Sequence, residues 1–131
     1  MKEISISTGK RVDLIDITAK IERIVRESAV KDGICHIFVP HTTAGVLLNE
    51  NADPSVRSDI IKGLENMVPD AGGYTHAEGN SPAHIKSSII GHTVTVPVKD
   101  GLLYLGTWQG IYFCEFYGPR TRKTVVTVQN S

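Results

Sequence analysis

The segment Gly72–His84 concentrates the side chains that could do chemistry. It contains two histidines, a glutamate and an asparagine and has almost no aliphatic bulk, so burial of its own residues does not order it. Imidazole and carboxylate groups bind zinc and similar divalent ions, and a catalytic site of this kind has three protein ligands and one open position. The segment is therefore the predicted active site or metal site. The alternative is a polar surface loop whose histidines are simply solvated.

Three histidines are the predicted metal ligands. The Ser81-Pro82 pair predicts a helix start, with serine as the cap and proline in the first turn, which places His84 near the N-terminus of that helix. His76 and Glu78 lie on the glycine-rich loop before it and can turn back toward the same end, where free N–H groups also favour an anion. His41 follows a short apolar run and needs one close approach in the fold to complete the set.

A second polar stretch, Asn49 to Asp53, has a simpler structural explanation. It ends a strand directly before a helix, so Asp53 is expected to cap that helix and Asn51 to form a turn. A third stretch, residues 106–110, has the only tryptophan, and its flanking glycines would let a ligand approach the backbone closely.

Glu115 is the sole charge in a run of apolar and aromatic residues. Buried carboxylates are rare unless they are paired, so Arg120 or Arg122 is its natural partner in a structural ion pair. His36 lies inside another apolar run and is interpreted as an interior or interface residue.

Periodicity and turn residues predict an α+β fold with an antiparallel or mixed sheet, because strands outnumber helices and the helices arrive singly. The first two strand-like segments, on either side of the turn Thr8-Gly9-Lys10, predict an opening hairpin. The predicted helices are 18–30, 53–69 and 81–90, and the predicted strands are 3–7, 12–14, 34–39, 45–48, 93–98, 102–105, 111–117 and 123–128.

The composition narrows the classes of partner. The chain has 131 residues, the size of one ordinary domain, and we expect a single domain over 1–131. Lys and Arg number 14 and Asp and Glu number 14, so no net charge favours nucleic acid or an anionic membrane. No apolar run approaches the roughly 18 residues of a membrane span. Cys35 and Cys114 sit in apolar runs, which predicts buried free thiols and a cytoplasmic protein.

Several motifs together resemble the YjbQ family, and the resemblance spans nearly the whole chain. The residues that carry it are His41-Thr42-Thr43-Ala44, Asn49-Glu50-Asn51, Asp53-Pro54, Asp59, His76 with Glu78-Gly79-Asn80, Ala83-His84, and Gly106-Thr107-Trp108-Gln109 through Glu115, Gly118 and Arg120. The resemblance implies a YjbQ-like sandwich of mixed or antiparallel sheets with about three helices. It also implies a homotrimer and a site of histidine and acidic residues that binds a divalent metal, zinc or magnesium.

The family is linked to secondary thiamine-phosphate synthase activity, which would join a pyrimidine methyl diphosphate to a thiazole phosphate with loss of diphosphate. Such chemistry needs a cation at the leaving diphosphate and donors for its oxygens. The roles implied are metal ligands at His41, His76 and His84, substrate contacts at Asn49, Asn51, Gln109 and Arg120, and a base or further ligand at Glu78 or Asp53.

Three functions are compatible with these residues. The first is a transferase that acts on phosphorylated heterocycles, although the chain lacks a Gly-rich phosphate motif. The second is a metal-assisted hydrolase of a small phosphorylated or other polar substrate, in which the histidines and a spare carboxylate activate water. The third is a noncatalytic trimer that binds a metal or an anion.

Overall fold

The computed structural model describes residues 1–131 and consists of two antiparallel sheets and three helices. The strands are β1 (Lys2–Ser7), β2 (Asp13–Asp16), β3 (Gly33–Phe38), β4 (Ala44–Glu50), β5 (Thr93–Lys99), β6 (Leu102–Leu103), β7 (Gln109–Glu115) and β8 (Thr121–Asn130). The helices are α1 (Thr18–Ser28), α2 (Pro54–Met67) and α3 (Ser81–Ile90). The predicted α+β class and the three helices are confirmed. No helix is both long enough and apolar enough to cross a membrane.

The two sheets divide the strands unequally. The larger sheet has the order β1-β8-β3-β5-β6 and the smaller one β2-β7-β4, and every pairing is antiparallel. β8, the last strand of the chain, lies between β1 and β3, while β7 forms the centre of the smaller sheet. These two late strands therefore join segments that are far apart in sequence.

The predicted opening hairpin is wrong. β1 pairs with β8 and β2 pairs with β7, so the first two strands belong to different sheets. Ile6 of β1 is buried in one apolar cluster and Leu14 of β2 in another, which accounts for the split. Thr8, in the crossing segment, is tied to the C-terminal part of the chain, because its N–H donates to the carbonyl of Arg120 (2.9 Å).

Two apolar clusters hold the layers together. The larger one fills the space between the two sheets and α1, and the smaller one lies between the outer face of the smaller sheet and the helices α2 and α3. The larger cluster includes Ile21, Val25, Ile37, Val46, Phe113 and Val126; the smaller one includes Leu14, Leu64, Ala83, Tyr112, Cys114 and Phe116. Both cysteines are buried and free, as predicted. Burial raises the pKa of the Cys35 thiol to about 11.

The outer face of the larger sheet carries exposed apolar side chains. β3 alternates so that Cys35 and Ile37 face the core while Ile34 and Phe38 point outward, where they are 38% and 40% exposed. Isolated exposed apolar residues are ordinary, but two from one strand on one flat face form a patch.

Two predicted helix caps are wrong and one is confirmed. Thr18 is already inside α1, and Asp16 takes the capping role by accepting from the Thr18 N–H (2.9 Å) and hydroxyl. Ser81 is the first residue of α3, and Asn80 stands at the cap position with its side chain directed elsewhere. Asp53 caps α2 by accepting from the N–H of Ser55 (2.9 Å), ahead of the first-turn proline.

Candidate functional site

An open polar cavity of about 420 Å³ lies at the N-terminal end of α3. We call it the histidine pocket. Its walls come from the turn between β3 and β4, the loop before α3, and the segment that leads into β8, and no hydrophobic residue lines it. The lining residues are Pro40, His41, Thr42, Thr43, His76, Glu78, Asn80, His84, Arg120 and Arg122.

The pocket is held together by contacts between segments that are distant in sequence. The Ser87 hydroxyl of α3 donates to the carbonyl of Thr42 (2.6 Å), which fixes the helix against the β3–β4 turn. On the other side, the backbone N–H of Lys123 in β8 donates to Nε2 of His41 (2.9 Å). The fold therefore brings all three predicted metal ligands and Glu78 to one cavity.

His76 and His84 form the tightest pair of potential ligands. Their ring centroids are 5.3 Å apart and the rings are nearly perpendicular, at 88°. Two imidazoles bound to one tetrahedral zinc ion through nitrogens at roughly 2 Å have ring centroids roughly 5 Å apart. The spacing of this pair therefore fits two ligands of one ion.

His41 has a different bonding state. Because Nε2 accepts the Lys123 N–H, a neutral ring carries its proton on Nδ1, which is then a donor and not a free metal ligand. Burial and the nearby positive charge of Arg122 lower the pKa of His41 below its usual 6.5. No group of three or more histidine, cysteine, aspartate or glutamate side chains is arranged to hold a metal ion. The chain thus brings two potential ligands close together, and His41 or Glu78 would have to rearrange to supply a third.

Asn80 offers the pocket an acceptor that nothing in the chain satisfies. It is 3% exposed, its amide nitrogen donates to Oε2 of Glu78 (3.0 Å), and its Oδ1 has no hydrogen-bond partner. A buried acceptor without a donor is costly, so such atoms in native proteins usually meet water, an ion or a ligand. Oδ1 is covered by the chain, so a cation or a ligand N–H or O–H group would meet it only after the Asn80 side chain turned toward the pocket.

Arg122 lines the pocket although sequence reasoning treated it only as a possible partner for Glu115. The structure makes it that partner: Nε lies 2.9 and 3.1 Å from the two carboxylate oxygens of Glu115, and Nη2 contacts Oε2. Burial alone raises the pKa of the Glu115 carboxyl, but hydrogen bonds from Arg122, Thr8 and the Tyr117 N–H hold it below its usual 4.5. The alternation of β8, with Arg122, Thr124 and Val126 pointing inward, is the signal that could have revealed this inward arginine.

Arg120 was predicted to contact substrate, and it also lines the pocket. Its side chain is exposed, and its guanidinium carbon lies 5.0 Å from the centre of the Tyr117 ring. Stacking on an aromatic face orders an exposed arginine without neutralising its charge. Arg120 is thus available to an anionic ligand.

The remaining predicted site residues do not line the histidine pocket. They lie at the other end of the β4–β7 pair, and each is engaged by the chain itself. The Asn51 amide donates to Asp16 (3.1 Å), Oε1 of Gln109 accepts the Gly106 N–H (2.8 Å), Oδ1 of Asn49 accepts the Glu50 N–H (2.7 Å), and Asp53 caps α2. Hydrogen bonds from the Ser55 N–H and hydroxyl lower the pKa of Asp53.

These features define the class of protein: a small α+β domain with two antiparallel sheets and an open pocket built from histidines and arginines. The chain belongs to the YjbQ family, since residues 2–131 match the family model described as UPF0047 protein YjbQ-like.

Relatives and solved structures agree with this membership. A UPF0047 protein of Methanocaldococcus jannaschii is 56% identical over 123 residues, covering 94% of this chain and 89% of the relative. The UPF0047 protein YugU of Bacillus subtilis is 48% identical over 123 residues, covering 93% of each. A crystal structure of a YjbQ/UPF0047 family protein from Clostridium acetobutylicum has a TM-score of 0.97 at 49% identity, covering 98% of this chain and 100% of that one. A YbjQ-like protein of unknown function from Sulfolobus solfataricus has a TM-score of 0.95 at 34% identity, covering 99% and 96%.

Proposed function

We propose that this protein is an enzyme that uses a divalent ion, held by His76 and His84, to act on a small phosphorylated substrate. The observation that carries the proposal is the spacing of these two rings in a pocket without hydrophobic lining. The family resemblance makes secondary thiamine-phosphate synthase the first candidate reaction, with zinc or magnesium as the ion.

The side chains of the pocket suit the parts of this reaction. A bound ion would supply positive charge to the departing diphosphate. Glu78, whose Oε1 has no partner in the chain, would complete the ligation after a rearrangement or would accept a proton. Arg120 offers a cation to a substrate phosphate, and the Nδ1–H of His41 is a neutral donor. Charge-assisted donors of this kind hold phosphate oxygens strongly.

Hydrolysis of a small phosphorylated substrate is the second candidate, and one observation favours it. No hydrophobic residue lines the pocket, so the chain alone provides no apolar wall for a heterocycle, which would have to stack on imidazole or guanidinium planes. A water molecule needs no such surface. Glu78 would accept its proton as it attacks phosphorus, and the bond to the leaving oxygen would break.

We also propose that the protein is a homotrimer, as the family resemblance implies. The patch at Ile34 and Phe38 on the outer face of the larger sheet supports association of copies, because contact with another chain would remove this apolar area from water. The change Phe38→Glu, compared with Asn66→Glu at an exposed position of α2 away from this sheet, tests this by light scattering. Dissociation by the first change alone is expected; a wild-type monomer would contradict the proposal.

Metal content and turnover test the enzyme proposal. We expect His76→Ala and His84→Ala each to lower bound zinc or magnesium and to reduce diphosphate or phosphate release by more than about a hundredfold, since even the outer partners of metal ligands are worth about 10- to 100-fold. His36→Ala is the matched control, because that ring lies on β3 away from the pocket and bonds Thr95 (2.9 Å).

The outcomes separate the candidates. If folded His76→Ala and His84→Ala proteins retain metal and activity, the proposal fails. Rescue of a thiamine auxotroph that survives both changes removes the synthase reaction. Metal bound by the wild type without turnover of any phosphorylated substrate leaves the noncatalytic metal-binding trimer.

A further inference from the structure

Arg122 has one guanidinium nitrogen that the fold leaves unused. Its side chain is 4% exposed, Nε and Nη2 bind Glu115, and Nη2 also bonds the hydroxyl of Thr43 (2.9 Å). Nη1 makes no hydrogen bond within the chain, and Arg122 lines the histidine pocket. Two N–H groups of a buried cation are therefore available to whatever the pocket binds.

The guanidinium is fixed before any ligand arrives. Glu115 is fully buried and also accepts from the Thr8 hydroxyl (2.7 Å) and the Tyr117 N–H (3.1 Å). A carboxylate with this many donors has few alternative positions, and the arginine it holds is fixed with it. A preordered donor loses little side-chain entropy on binding, which favours affinity. The buried Glu115–Arg122 pair therefore also fixes the position of Nη1.

The β3–β4 turn offers the same pocket further donors. Thr42 and Thr43 line the same pocket, and no backbone hydrogen bond outside the helices and strands starts from either N–H. A guanidinium nitrogen and two backbone N–H groups are acidic donors, and a tetrahedral oxyanion can place three oxygens on donors from two segments. A planar carboxylate has only two oxygens to share.

The charges around the pocket indicate how the anion is balanced. Arg120 and Arg122 are offset by Glu78 and Glu115, so the pocket walls are close to neutral. A phosphate dianion is then favoured when a divalent cation is bound nearby, and linkage requires each ion to strengthen the binding of the other to the same extent.

We propose that Arg122 Nη1, with the backbone N–H groups of Thr42 and Thr43, is the phosphoryl subsite of the histidine pocket. Substrates then lie with a terminal phosphate against the β3–β4 turn and β8, and with the reacting bond toward His76 and His84. The choice of phosphate as the anion rests on the proposed function, whereas the arrangement of the donors does not depend on it.

The substitution Arg122→Lys tests the subsite. Lysine keeps a positive charge for Glu115 but has no Nη1, so we expect the dissociation constant of inorganic phosphate, measured by calorimetry with saturating magnesium, to rise about 10- to 100-fold. Magnesium content should not change. Arg57→Lys is the matched control and should stay within about twofold, because Arg57 bonds the Leu14 carbonyl (3.3 Å) away from the pocket. Acetate should bind more weakly than phosphate to the wild type.

A folded Arg122→Lys protein with wild-type phosphate affinity overturns the subsite, as does a wild type that does not bind phosphate. If Arg122→Lys fails to fold, Thr43→Val replaces it: this change removes the hydroxyl that orients Nη2 and leaves the ion pair, and it should weaken phosphate binding, while unchanged affinity counts against the proposal. The subsite can also be tested apart from the metal. If His84→Ala loses metal, and wild type without magnesium still binds phosphate more tightly than Arg122→Lys does, the subsite is supported independently of the metal site.

Discussion

The two ends of the β4–β7 pair both carry polar side chains, but these differ in type and in bonding state. At the end where Ala44 faces Glu115, the pocket has donors and acceptors without partners in the chain, Arg122 Nη1 and Asn80 Oδ1 among them. At the other end, about 20 Å along the strands, Glu50 faces Gln109, and the amides and acids are occupied by local hydrogen bonds. Only the first end has histidines and arginines together with groups that lack partners, and for this reason we propose that it is the ligand-binding end.

The largest expected effect comes from breaking the buried pair behind the pocket. Glu115→Ala leaves the Arg122 charge without a partner in the interior and should lower the free energy of unfolding by about 3–5 kcal/mol, measured by urea denaturation. Glu3→Ala is the control, since Glu3 and Lys123 form an exposed pair (3.4 Å) that is worth at most about 1 kcal/mol. If both variants lost the same free energy of unfolding, burial would not make the Glu115–Arg122 pair more important than the exposed pair.

Acid should destabilise the fold through the same buried carboxylate, Glu115. The pKa of the Glu115 carboxyl is lower in the folded protein than its usual 4.5, so its ionisation stabilises the fold above that value and the contribution disappears as the pH falls through the folded pKa. We expect the urea midpoint of the wild type to fall steeply below about pH 4.5. The Glu115→Gln protein should be less stable at pH 7, and its urea midpoint should depend less on pH in this range. If the midpoints of the two proteins fall in parallel, other carboxyl groups cause the acid sensitivity.

Enzyme kinetics test whether the two ends of the β4–β7 pair differ in function. Asn51→Ala and Gln109→Ala should change the turnover number over KM by less than about threefold, under 1 kcal/mol, because these amides bond the chain and do not line the pocket. His84→Ala, made in parallel, should abolish turnover. A comparable loss in all three would show that the far end also contacts substrate, which requires a second copy of the chain to bring it to the pocket.

The smallest expected effect is at the cap of α2. Asp53→Ala should lower the melting temperature by a few degrees without changing metal content, because it removes the acceptor for the Ser55 N–H. Asp53→Asn should be nearly neutral, since asparagine caps as well as aspartate. A loss of activity with a normal melting temperature would instead return Asp53 to the catalytic group in which the sequence placed it.

Local signals predicted the elements well and their partners poorly. The start of α2 follows from the Asp53 cap, and the extent of α3 follows from its first-turn proline and from Gly91 at its end; all of these signals act within a few residues. The pairing of β1 with β8 depends on burial across the whole chain, which no turn signal encodes. His76 and His84 are close in sequence, so their proximity could be anticipated. The sequence predicted Arg122 as a possible partner of Glu115, but its place in the pocket and its unpaired Nη1 were found only through the structure, because no local pattern encodes them.

The position of β8 has a consequence for biosynthesis. The strand is made after the other seven, yet it lies inside the larger sheet, between β1 and β3, and supplies both Arg122 and the N–H that holds His41. Until residues 121–130 leave the ribosome, β1 and β3 keep open edges that invite pairing with other nascent chains. A prematurely terminated chain therefore loses an interior strand of its sheet and its pocket together, and we expect it to aggregate without ever passing through a partly active form.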